Sequence, residues 1–402
     1  MSEQESISNC SFCNKHKDVV DKLIVGHDVG ICNECVDFCQ DLLARNHKKK
    51  NNQAVEPIYL DPRAIHSYLD QHVIGQTAAK MVLSVAISNH YKRLSNTDPE
   101  KNIEKSNIMI IGPTGVGKTL LAQTVARYLD VPFVIGDATT LTEAGYVGED
   151  ADSLISRLYL AANQDVDRCQ RGIIFLDEVD KIARKSEGAS VSRDVSGEGV
   201  QQALLKLVEG TRCKVSNGGS KKLASSDTVE IDTTNILFIV GGAFIGLDAI
   251  IKRRLQGSNM GFAADISMQK DLALDPMPDD LVRYGMIPEF VGRFPSVVGL
   301  HDLQKQHLVD ILTLVKNNLI DQYQWLFQQD GVDLCFDEPS LQLLAERTLA
   351  AKTGARGLRK ELERVLMPHM YHLRRYKEQN MFRVTIDQHM VNKPEELIRE
   401  NQ

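Results

Sequence analysis

The sequence predicts an α/β protein in three parts. A small cysteine-rich module comes first, then a parallel sheet covered by helices, then a smaller, mostly helical C-terminal domain. Three observations predict this. Short apolar runs recur at Ile108–Ile111, Val131–Ile135, Ile173–Leu176 and Ile236–Val240, separated by stretches of helical period. The first of these runs leads through a glycine-rich loop into a helix, Leu120–Leu129. Two Cys-x2-Cys pairs lie near the start, and beyond about His301 the pattern turns helical.

Composition sets the frame. The chain has 402 residues, 43% hydrophobic and 25% charged, enough for two or three ordered domains. Its net charge of −7, from 47 basic and 54 acidic residues, argues against general nucleic-acid binding through phosphate contacts. No apolar run approaches membrane-spanning length, and the start is polar and acidic, so a cytosolic protein is expected. In that compartment the eight cysteines are not expected to pair as disulfides.

Residues 1–45 read as a zinc module. Cys10, Cys13, Cys32 and Cys35 form two knuckles whose four thiolates suit one tetrahedral Zn²⁺. A segment this short has no room for a core, so the metal supplies most of its folding energy. His16, His27 and Cys39 are read as bystanders, and Cys169, Cys213 and Cys335 as inert thiols. The polar, lysine-bearing stretch 46–60 reads as a flexible linker.

A large domain is expected over 61–300. Gly112-Pro113-Thr114-Gly115-Val116-Gly117-Lys118-Thr119 fits the phosphate-loop pattern at every fixed position, between a strand and a helix that opens with Leu120. Glycines let backbone N–H groups close on phosphates, and the helix N-terminus adds its dipole. Lys118 is placed to meet the β- and γ-phosphates of a nucleoside triphosphate, and Thr119 to hold Mg²⁺. In Ile173-Ile174-Phe175-Leu176-Asp177-Glu178, an apolar strand ends in two acids. After a phosphate loop this is a Walker B strand: Asp177 belongs to the Mg²⁺ shell and Glu178 polarises the attacking water. Val200, Ala203, Leu204, Leu207 and Val208 mark a helix, and 214–232 reads as an exposed loop. Within the small domain, 301–402, Leu308, Ile311, Leu312, Val315 and Leu319 mark one amphipathic helix and Leu341–Ala350 another. Phe382–Ile386 alternates like an edge strand.

These motifs, in this order, closely resemble the ClpX family of AAA+ protein unfoldases. The resemblance also covers Val73-Ile74-Gly75-Gln76, Gly145-Tyr146-Val147-Gly148, the segment Arg193–Gly199, Ile287–Arg293 and Gly354–Arg359. It implies a homohexameric ring that uses ATP to pull unfolded or tagged proteins through a central pore, with adaptors and a ClpP peptidase as partners. It further implies that Tyr146 and Val147 grip substrate, that Arg193 faces the channel, and that Arg293 is an arginine finger for the neighbouring subunit. Arg356 matches the second sensor arginine, and Val73 and Ile74 the adenine pocket. Two departures are visible. The peptidase-docking tripeptide reads Met260-Gly261-Phe262 where the family commonly begins with Ile, and the pore-entrance loop reads Ser220-Lys221-Lys222-Leu223 where it often has Arg-Lys-His. Methionine is apolar and adaptable enough to fill the same pocket. A remodelling chaperone without a peptidase, and a nucleic-acid motor, are the competing readings. The acidic charge and the aromatic loop speak against the second.

Overall fold

The computed structural model describes residues 8–26, 29–39, 60–96, 98, 100–101, 103–142, 149–184, 197–216, 228–257 and 276–396. The chain divides into two compact units, Met1–Ile58 and Tyr59–Gln402. Among the described residues no helix is long and apolar enough to cross a membrane.

In the first unit, β1 (Leu23–Val25) pairs antiparallel with β2 (Gly30–Cys32), Leu23 opposite Cys32, and residues 33–39 are helical. Among the described residues of this unit, the buried apolar ones are Cys10, Cys32 and Cys35, with Val20, Leu23 and Ile31 packed against them.

The second unit is organised by a five-stranded parallel sheet. Its strands are β3 (Ile108–Ile111), β4 (Phe133–Asp137), β7 (Ile173–Asp177), β10 (Leu237–Gly242) and β11 (Ser296–Gly299), in the order β11-β3-β10-β7-β4. A two-residue pair, β5 (Leu141–Thr142) with β6 (Glu149–Asp150), lies outside it. The central strands β3, β10 and β7 are apolar without alternation because both faces are covered, whereas the edge strand β4 alternates, with Ile135 and Asp137 exposed. Ile108, Ile110, Phe175 and Ile239 face one core, built with α1 (Pro62–Asp70), α2 (Thr77–Leu94) and α3 (Lys118–Leu129). Their neighbours Met109, Ile111, Leu176 and Val240 face the other, built with α4 (Asp152–Ala161) and α6 (Glu198–Glu209); the short α5 (Val166–Gln170) lies between those two helices in sequence. Beyond β10 come α7 (Leu247–Gly257), α8 (Pro278–Tyr284) and α9 (Pro288–Gly292).

The first core runs on into the small domain, through Leu308, Leu344, Leu362 and Val384. There α10 (Lys305–Thr313), α11 (Leu319–Gln329), α12 (Glu338–Ala350), α13 (Arg356–Tyr371), α14 (Leu373–Glu378) and α15 (Gln388–Asn392) surround a parallel pair, β12 (Asp333–Phe336) with β13 (Arg383–Ile386).

Three local expectations are corrected. Segment 214–232 is not simply a loop. Its ends form a hairpin, β8 (Arg212–Ser216) against β9 (Thr228–Asp232), with Cys213, Val215 and Ile231 buried on one side. The polar residues between them hid a strand pair of period two. The stripe Leu308–Leu319 is not one helix. Asn317 takes φ +58 and the Asn318 side chain caps a new helix by accepting from Asp321 N at 2.8 Å. The helix after the phosphate loop begins at Lys118, not Leu120, so both Lys118 and Thr119 belong to its first turn.

Candidate nucleotide site and zinc centre

The phosphate loop leaves the C-terminal end of β3, where ligands of open α/β sheets bind. Its backbone needs glycine at two points: Gly115 has φ +80 and Gly117 φ +104, in the left-handed region. Gly117 then caps α3, so free N–H groups and the positive helix end open onto the loop. Lys118 is nearly buried and its Nζ donates to Gly112 O at 2.7 Å and Pro113 O at 2.9 Å. Burial holds its ammonium below the usual lysine range, while Asp177 and Asp180 pull the other way.

Thr119 Oγ1 donates to Asp177 Oδ2 at 3.0 Å, so the two residues expected around Mg²⁺ meet although they lie far apart in the chain. Asp177 Oδ1 accepts from Glu178 N at 2.9 Å. Glu178 itself takes φ +58, rare for a residue with a side chain, and is exposed to the pocket. A hydroxyl and a carboxylate converging beside a phosphate loop are the hard oxygen donors Mg²⁺ prefers.

The pocket, about 450 Å³, is lined by Thr114, Gly115, Gly117 to Leu120, Asp177 and Glu178, and also by Ala355 and Arg356 of the small domain. A second cavity of about 910 Å³ borders the same loop at Gly112 to Thr114 and Val116, with Phe244, Leu303, Leu308 and Leu349 among its apolar walls. The two domains touch through backbone here. Ala355 N donates to Gly115 O at 3.0 Å, and a Cβ on Gly115 would lie 2.5 Å from Thr353 O. The other loop residues are packed from below: Val116 is buried, and a Cβ on Gly112 would meet Leu300 Cβ at 2.8 Å.

Not every expected residue converges. Val73 is buried beneath the loop, 3.9 Å from where a Gly117 Cβ would be, and Ile74 is half-buried, but neither lines the two cavities. Arg293 is away from this pocket. Its carbonyl accepts from Asn107 Nδ2 at 3.0 Å, just before β3 begins, whereas the phosphate loop follows the end of β3. A four-residue strand separates them by roughly 13 Å. Its guanidinium pairs with Glu209 instead. Tyr146, Val147, Arg193, Met260, Gly261, Phe262 and Ser220–Leu223 lie outside the described residues.

Asp180 was missed by sequence reasoning. It is buried, lines the pocket, and its Oδ1 accepts from Ala243 N at 3.1 Å, tying the turn after Walker B to the end of β10. The available signal was Gly241-Gly242. A Cβ on Gly242 would lie 2.8 Å from Asp180 Oδ1, so only glycine lets the carboxylate approach.

In the first unit, the Sγ atoms of Cys10, Cys13, Cys32 and Cys35 lie within 4.8 Å of one another. Cys10–Cys35 is 3.9 Å and Cys13–Cys32 3.6 Å, far from a bonded disulfide. A tetrahedral zinc with Zn–S of ~2.3 Å needs edges of about 3.8 Å, so the donor set fits the metal. Cys32 N also donates to Cys10 Sγ at 3.3 Å, a contact that favours thiolate. Asn14, at φ +60, makes the tight turn of the first knuckle. Burial pushes the thiols of Cys169 and Cys213 up to about 12, which suits inert core residues.

A parallel sheet of this order, a phosphate loop, a Walker B strand and a small domain reaching into the nucleotide pocket define a AAA+ ATPase. The profile of the AAA domain (Cdc48 subfamily) matches residues 103–297, and that of the C-terminal, D2-small domain, of ClpB protein matches 303–378. The ClpX C4-type zinc finger matches 8–45. The ATP-dependent Clp protease ATP-binding subunit ClpX of Treponema denticola is 47% identical over 375 residues, covering 90% of this chain and 89% of that protein. The chain belongs to the ClpX family. It is an ATPase that uses ATP with Mg²⁺ and carries a zinc-binding module.

Proposed function

We propose that the chain is an ATP-driven protein unfoldase and translocase. It acts in the cytoplasm as a homohexamer and threads unfolded or tagged proteins, some delivered by adaptors, through a central pore into a ClpP-type peptidase. The observation that carries this reading is the split of the two arginines. Arg356 of the small domain lines the chain's own nucleotide pocket, while Arg293 sits beyond the far end of β3 and points elsewhere. One arginine can therefore report the nucleotide by moving the small domain. The other can act only on a neighbour's nucleotide, which couples hydrolysis to ring assembly.

In this reading the backbone of Gly112 to Gly117 wraps the phosphates, Lys118 neutralises them, and the apolar walls at Leu308 and Leu349 enclose adenine, while Val73 and Ile74 support that pocket from behind the loop. Thr119 and Asp177 would hold Mg²⁺, which would supply charge neutralisation for phosphoryl transfer. Glu178 accepts the proton of the water that attacks the γ-phosphorus as the bond to the β-phosphate oxygen breaks and ADP leaves. Arg293 of the adjacent subunit stabilises the charge on the transferring group. Tyr146, Val147 and Arg193 convert the resulting domain motion into pull on the substrate, and Met260-Gly261-Phe262 docks the peptidase. The zinc module serves substrate and adaptor binding.

ATP-dependent loss of fluorescence from a stably folded, tagged reporter tests the unfoldase, and adding ClpP tests the partnership. Unfolding without degradation in the presence of ClpP would leave the remodelling chaperone as the reading. No unfolding at all, with ATPase intact, would reject both.

A further inference from the structure

Helix α6 grips the segment that carries Arg293 in two places. At its C-terminal end, Glu209 Oε1 accepts from Arg293 Nε at 2.9 Å and lies 2.7 Å from Nη2 in an ion pair. Nearer its start, Gln201 is fully buried. Its Nε2 donates to Ile182 O at 2.7 Å and its Oε1 accepts from Ile287 N at 2.8 Å. Ile182 closes the turn that follows Asp177-Glu178, and Ile287 caps α9, which runs directly into Arg293. A parallel tie joins the same two segments: Arg184 N donates to Gly285 O at 2.9 Å, and a Cβ on Gly285 would lie 2.4 Å from Arg184 O. Asn107 holds the Arg293 backbone from a third side.

We propose that Glu209 is a positioning residue for Arg293. It holds the guanidinium in the orientation offered to the neighbouring subunit's nucleotide, and α6 is fastened through Gln201 both to the subunit's own Walker B turn and to the arginine-bearing helix. The proposal rests on the reading of Arg293 as acting in trans. The carboxylate takes the Nε and Nη2 side, and among the described residues no partner is seen on Nη1, so the pair can persist while the arginine meets a phosphate. Arg293 and Glu209 side chains are 53% and 40% exposed, and a pair so exposed does little for folding. Its effect lies in orientation: an arginine held in one rotamer loses no further freedom at the moment of reaction.

The test is steady-state ATP hydrolysis with Mg²⁺ by the full chain as parent, Glu209→Ala, Arg293→Ala and the double variant. Glu209→Ala should lower kcat roughly tenfold, short of the ~100-fold that an ångström of misplacement can cost. KM for ATP should stay within about twofold, because the arginine is felt mainly in the transition state. On the Arg293→Ala background the same change should do nothing more. Glu209→Gln, which keeps an acceptor oxygen, should recover most of the rate. A parental kcat for Glu209→Ala beside an impaired Arg293→Ala would overturn the proposal and leave the trans reading standing. An equal loss on both backgrounds would also overturn it, by showing that Glu209 acts through something other than Arg293. A parental rate for Arg293→Ala would remove the trans reading and the proposal together.

Discussion

Gly354→Ala asks whether the phosphate loop and the small domain move as one piece. Gly354 has φ +58, and a Cβ there would lie 2.8 Å from Thr114 O and 2.9 Å from Gly115 Cα. Both are backbone atoms, so no side chain can swing aside. The left-handed conformation costs alanine about 1–2 kcal/mol. Relieving the clash means drawing the 353–355 turn away from the loop, which breaks the 3.0 Å bond from Ala355 N to Gly115 O, worth ~0.5–1.5 kcal/mol. Arg356, the next residue, moves out of the pocket with the turn. The closed pocket is therefore disfavoured by about 1.5–3.5 kcal/mol, and nucleotide that needs both walls must repay it. At 1.4 kcal/mol per tenfold, MgATP should bind roughly 10- to 300-fold more weakly. Titration of a fluorescent ATP analogue, with a melting curve to confirm that the protein is folded, reads this directly. The position lies outside the phosphate-loop motif, so local chemistry alone predicts no effect. Parental affinity and parental turnover in this variant would refute the two-walled pocket.

Other outcomes follow from the same geometry. Glu178→Gln should bind nucleotide normally yet lose several orders of magnitude in turnover, because an amide holds water without accepting its proton; near-normal steady-state hydrolysis would remove Glu178 from the chemistry. A chelator should strip one zinc per chain and unfold the first unit, read by elemental analysis and limited proteolysis, while a chain starting at Asp61 keeps its ATPase within about twofold. Freshly purified protein without metal would contradict that expectation. Tyr146→Ala should hydrolyse ATP within a few-fold of the parent, as roughly expected for a residue outside the phosphate-loop and Walker B sequence motifs, but fail on stably folded reporters. Unfolding at the parental rate would show that Tyr146 is not the gripping residue.

The chemistry carried by contiguous residues was legible in the chain. The loop Gly112–Thr119, the acids Asp177-Glu178 and the four cysteines are local patterns, and a backbone that must wrap a phosphate or fold around one metal constrains neighbouring positions strongly enough to read. The parallel sheet was legible for a similar reason: strands covered on both faces, such as β3 and β10, are apolar at every position of the two cores. Polar residues masked the hairpin β8–β9, and apolar spacing alone ran α10 into α11 across the turn capped by Asn318. Strand order was decided in three dimensions. Placing β10 between β3 and β7 is what sets Asp180 against Ala243 and gives Gly242 its reason. So were the fates of the two arginines. Arg356 enters the pocket because the small domain shares a core with one face of the sheet, and Arg293 turns to Glu209 because Asn107 and Gln201 anchor its segment at the opposite end. Such contacts join residues far apart in the chain. The free energy of each depends on a partner that spacing cannot name, so the chain shows that an arginine is present and the packed fold sets which partner it meets.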